Sequence, residues 1–99
     1  MPPARLDFDR INAAALAALP ALVARWLPDG RREGGEWVAR NPRRTDRRPG
    51  SFRVNITTGK WADFATGDRG GDVVSLAAYL GGIGQADAAR NLADMLGMK

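Results

Sequence analysis

Arginine dominates the chemistry open to this sequence. Between residues 31 and 69 stand ten basic side chains, Arg31, Arg32, Arg40, Arg43, Arg44, Arg47, Arg48, Arg53, Lys60 and Arg69, against five acids, Glu33, Glu36, Asp46, Asp63 and Asp68. That local excess is larger than the whole chain's net charge of +4, so the flanks are close to neutral and the middle is a surface suited to a polyanion. Its densest part runs Asn41-Pro42-Arg43-Arg44-Thr45-Asp46-Arg47-Arg48-Pro49-Gly50. Guanidinium forks match phosphate oxygens, and the two prolines lower the entropy lost when such a loop is ordered. A plainer reading stays open, that of a solvated loop partly paired with Asp46. Arg53, Lys60 and Arg69 extend the same chemistry, and Trp61 and Trp37 add aromatic rings that either stack on bases or pack in a core.

Other chemistries are excluded or weakly supported. The chain has neither cysteine nor histidine, which removes disulfides and thiolate or imidazole metal sites. A magnesium site for nucleotidyl transfer needs converging carboxylates, and only Asp63, Asp68 and Asp72 lie close in sequence. Asp72 reads better as a helix cap and Asp68 as a turn residue. The glycines from Gly67 to Gly71 precede a helix and could cradle a phosphate. They lack the following Lys and Ser or Thr of a nucleotide-binding loop. No catalytic residue, metal or cofactor is therefore expected. The apolar run Ile11 to Leu27 is interrupted by Asn12, Pro20 and Arg25 and is too short to span a bilayer. Its leading acids do not suit a signal peptide, so a cytoplasmic protein is expected.

The elements that must position these residues follow from periodicity. Ninety-nine residues make one domain, spanning 1–99, and suffice for a core without a covalent staple. Residues 1–7 form a loose end after Pro2 and Pro3. Residues 8–28 are helical, capped by Asp9, with Leu16, Leu19, Val23, Trp26 and Leu27 as the apolar stripe and Pro20 either kinking the helix or starting a second one. Residues 36–64 hold three strands, Glu36 to Arg40, Ser51 to Thr57 and Lys60 to Phe64, the last two joined by a Thr58-Gly59 hairpin turn. In the middle strand Phe52, Val54 and Ile56 alternate with Arg53 and Asn55, so one face is buried and the other presents Arg53 to solvent. Residues 72–97 form two helices. The first starts at Asp72 and carries Val73, Leu76, Ala77 and Leu80 inward, and Gly81-Gly82 ends it. The second runs from Gln85 to Leu96, with Gly97 as its stop. The expected fold is α+β, a three-stranded antiparallel sheet with an N-terminal helix and two C-terminal helices. Its core is Phe52, Val54, Ile56, Trp61, Phe64, Val74, Leu76, Leu80, Leu92 and Leu96.

Three segments together resemble a known family. Arg48-Pro49-Gly50-Ser51-Phe52-Arg53-Val54-Asn55, Trp61-Ala62-Asp63-Phe64 and Gly70-Gly71-Asp72-Val73-Val74-Ser75-Leu76 are similar to the N-terminal zinc-binding domain of DnaG-type bacterial primases, over about residues 41 to 97. The resemblance implies a zinc-ribbon-like sheet closed by two helices and a role in binding template DNA. It puts metal-ligand pairs near Asn41 to Arg44 and Phe64 to Gly67, where this chain has no Cys or His, and Gly50 is inserted between the Pro and the Ser. In this the chain is similar to zinc-less versions fused to primase-helicase proteins of phages and plasmids. It then implies a non-catalytic binding module of replication machinery, and whether the chain is one fragment of a longer protein stays open. The expected partner is DNA, single-stranded, bound by Arg43, Arg44, Arg47, Arg48, Arg53, Lys60, Trp61 and Arg69. The alternative is an adaptor whose Trp26 helix docks onto a primase or helicase domain.

Overall fold

The computed structural model describes residues 6–43 and 50–98. An N-terminal pair of helices, α1 (Phe8–Ala17) and α2 (Leu19–Trp26), leads into five short strands: β1 (Arg31–Glu33), β2 (Glu36–Ala39), β3 (Phe52–Asn55), β4 (Trp61–Asp63) and β5 (Arg69–Gly70). Helices α3 (Val73–Gly81) and α4 (Gln85–Met95) close the chain. The strands form one antiparallel meander in the order β1-β2-β3-β4-β5. The expected three-stranded sheet with a single N-terminal helix is therefore corrected to five strands and four helices among the described residues. Both added strands sit at the sheet edges, where pairing comes from the backbone. Arg31-Arg32-Glu33 is exposed throughout, and Arg69-Gly70 has only two residues, so neither carries an apolar alternation.

Pro20 resolves its two expected outcomes in favour of a second helix. It occupies the first turn of α2, where its missing N–H would have found no partner within the helix in any case. Asp7, not Asp9, caps α1, its carboxylate accepting from the Arg10 amide at 3.0 Å. Asp72 caps α3 as expected and does so reciprocally: the Ser75 amide donates to its carboxylate at 2.8 Å, while the Asp72 amide reaches Ser75 Oγ at 3.4 Å. Gly82 ends α3 in the left-handed conformation at φ 64°.

All four helices contribute to the core on one side of the sheet. Ile11, Ala15, Leu19, Leu22, Val23 and Leu27 meet Ala39, Phe52, Val54 and Trp61 from the strands and Val73, Val74, Leu76, Ala88, Ala89 and Leu92 from the closing pair. Leu80 and Leu96 are only partly buried against that cluster. Phe64, expected in the core, lies outside it and is 71% exposed. Among the described residues no helix is long and apolar enough to cross a membrane.

Candidate nucleic-acid interface

With the helices on one side, the other side of the sheet faces outward, and its occupants follow from register. Arg31 is opposite Val38, Val38 opposite Arg53, Arg53 opposite Ala62 and Ala62 opposite Arg69. One transverse row thus reads Arg-Val-Arg-Ala-Arg across all five strands. Neighbouring strands lie about 4.8 Å apart, so the arginines recur at about 9.6 Å and span about 19 Å of surface. Small or short apolar residues between them leave room for the long stems to lie over the sheet. One step along the strands, Glu36 is opposite Asn55, whose amide bonds the Lys60 carbonyl at 2.7 Å.

Charge within the row is graded. Arg31 pairs with Glu33 at 3.1 Å in solvent, an arrangement worth little. Arg53 is held on two sides, by Glu36 at 3.2 Å and by the Gly50 carbonyl at 3.1 Å. Arg69 and Lys60 are exposed and have no side-chain partner among the described residues. Positive charge available to a ligand therefore rises toward the β4–β5 edge.

The structure sorts the sequence-derived site residues into three groups. Arg53, Lys60 and Arg69 share the outward face. Arg43 does not: its guanidinium donates to the Tyr79 carbonyl at 2.8 Å and lies 5.5 Å from the centre of the Tyr79 ring, so it caps the last turn of α3. Arg44, Arg47 and Arg48 lie outside the described residues. Trp61 belongs to the core, only 6% exposed, with its ring centre 4.6 Å from that of Tyr79 and 5.9 Å from that of Phe52. Its indole N–H donates to Ser75 Oγ at 3.0 Å. Trp37 is likewise committed, donating to the Leu27 carbonyl at 3.0 Å. Stacking on Trp61 is corrected to core packing, because its ring is covered, and Trp37 is partly buried against the same core. Sequence reasoning missed Arg31 and Phe64 as members of this face, and only strand register reveals them.

It also missed a polar cluster between the sheet and α3. Asn41 and Asp63 are both buried. The Asn41 amide donates to Asp63 Oδ2 at 2.8 Å and to the Tyr79 hydroxyl at 2.7 Å, and the hydroxyl donates to Asp68 at 2.8 Å. Asn41 Oδ1 accepts from the Arg43 amide and Asp63 Oδ1 from the Ala65 amide, each at 2.8 Å. Burial raises the Tyr79 pKa above its usual value; the Asn41 hydrogen bond opposes that rise, while the bond to Asp68 and its charge add to it. These segments are where the resemblance puts zinc ligands, and their donors do not suit the ion. Among the described residues no group of three or more His, Cys, Asp or Glu could hold a metal. Asp63, Asp68 and Asp72 do not converge either, each being occupied by hydrogen bonds within the fold.

No family model matches the chain, and no curated protein matches it.

Proposed function

We propose that this chain is a single-stranded-DNA-binding module of a primase or primase-helicase, non-catalytic by itself and working in the cytoplasm with replication machinery. The observation that supports the reading is the transverse row Arg31, Arg53 and Arg69 on an open sheet face, with Lys60 beside it. Cations spaced along one line suit a flexible polyanion, and among the described residues this face of the sheet carries no helix that could enter a duplex groove. The primase resemblance supplies the biological setting.

Binding is electrostatic and weak, with a dissociation constant of about 10⁻⁴ to 10⁻⁶ M near physiological salt. Four phosphate contacts on a single strand give a slope of log affinity against log salt of about −3, and Lys60→Ala with Arg69→Ala reduces it to about −1.4. Titration of a labelled single strand and a duplex at several salt concentrations reads both values. Absence of binding to either at low salt overturns the proposal.

A second reading, an adaptor that docks onto a helicase or primase domain, is favoured by an apolar groove of about 390 Å³ lined by Trp26, Leu80, Ile83, Leu92 and Met95. Ile83 and Met95 are both exposed there. Flat nucleic-acid titrations would leave that reading in front.

A further inference from the structure

We infer that the outward face carries a subsite for one nucleobase, with Phe64 as its stacking surface. The inference rests on the single-strand reading above and assigns a residue and a role that the arginine row does not. A lone exposed phenylalanine is ordinary. What distinguishes Phe64 is its company. Lys60, Ala62 and Phe64 alternate onto the outward side, Arg53 is opposite Ala62, and Glu36 is opposite Asn55. These six residues, with Trp61, line one hollow of about 200 Å³.

The Glu36 carboxylate is taken up by Arg53 at 3.2 Å, and the other walls offer what a nucleotide uses. Ala62 is the small residue between Lys60 and Phe64 and leaves space over the strand. Phe64, 71% exposed, supplies an aromatic face. Lys60, unpaired among the described residues, supplies a cation for a neighbouring phosphate, and Arg53, shared with Glu36 at 3.2 Å, supplies a second that is partly neutralised. Asn55 Oδ1 is taken by the Thr57 and Thr58 amides at 2.9 and 3.0 Å, which fixes the side chain and leaves its NH₂ as the free donor among the described residues. An aromatic wall, two cations and an oriented amide donor fit a base and its phosphates. A purely aliphatic partner would leave the cations and the amide unanswered.

The test pairs a variant with a matching change in the ligand. Affinities of the whole chain for an oligothymidine strand and for an abasic strand of equal length and charge are measured for wild type and for Phe64→Ala. Stacking predicts that Phe64→Ala weakens thymidine binding about tenfold, leaves abasic binding unchanged, and does not alter the salt slope, because no counterion is involved. Phe64→Tyr should retain wild-type affinity. Phe64→Leu, which keeps bulk and loses the ring, should behave like the alanine variant and answers the question if that variant is poorly folded. Equal thymidine affinity for wild type and Phe64→Leu overturns the subsite while leaving the single-strand reading intact. Failure of the wild type to bind either strand overturns both.

Discussion

Asn41→Ala tests the cluster that joins the sheet to α3. The substitution removes two donated hydrogen bonds, to Asp63 and Tyr79, and the acceptor of the Arg43 amide. Hydrogen bonds to charged groups contribute about 1.5 to 3 kcal/mol and a buried polar group deprived of a partner costs about 1 to 3 kcal/mol, so a loss of about 3 kcal/mol is expected. For a domain of this size that lowers the melting temperature by roughly 12 to 24 °C. Asn41→Asp is the sharper variant, because it keeps the shape and puts a second carboxylate 2.8 Å from Asp63. Like charges at that distance should make it at least as unstable as the alanine variant at pH 7, with partial recovery in mild acid as the pair takes up a proton. Urea unfolding followed by tryptophan fluorescence, at pH 7 and in mild acid, reads both effects. Asn41→Asp unfolding within about 0.5 kcal/mol of wild type at pH 7, the range of an ordinary surface change, would refute the reasoning.

Asp72→Ala should cost about 0.5 to 2 kcal/mol through loss of the cap, with DNA affinity per folded molecule unchanged; a stable variant that no longer binds would place Asp72 in the site. Addition of EDTA should leave the melting temperature where it is, and a large downward shift or stoichiometric zinc by elemental analysis would show that a metal supports the fold. Tyr79 is the chain's single tyrosine, so alkaline tyrosinate absorbance reports it alone. Its midpoint should lie above 10.0 and fall in Asp68→Asn. The raised pKa favours the neutral phenol, so its contribution to stability is complete below the unfolded-state value and is lost as pH rises through the folded-state value. A folded-state midpoint at or below 10.0 would contradict the burial of the phenol, and a midpoint unmoved in Asp68→Asn would contradict its bond to Asp68.

Elements whose signals are local were legible in the sequence. The Asp72 cap, the left-handed Gly82, the break at Pro20 and the alternation of Phe52 and Val54 with Arg53 and Asn55 each depend on a few adjacent residues. The two edge strands were not legible, because Arg31-Arg32-Glu33 and Arg69-Gly70 are ordered by ladder bonds to β2 and β4 and bury nothing that a hydropathy pattern would register. The same gap hid Arg31 and the alignment of the row. Arg53 is outward by its own strand's alternation, yet its alignment with Arg31 and Arg69 is a property of four registers at once.

Phe64 shows why the rest required tertiary information. Trp61 and Phe64 are three residues apart, an odd spacing, so a regular strand cannot turn both toward one core. Hydropathy alone would bury the two aromatic rings and expose Asp63. The fold does otherwise because Trp61 gains a hydrogen bond to Ser75 and close packing on Tyr79, and that choice fixes Asp63 inward. An inward carboxylate is tolerable only with donors waiting for it, and Asn41 and the Ala65 amide are those donors. The buried cluster and the exposed phenylalanine are therefore two consequences of one strand parity, which places the aromatic ring beside Arg53 and Lys60 on the open face.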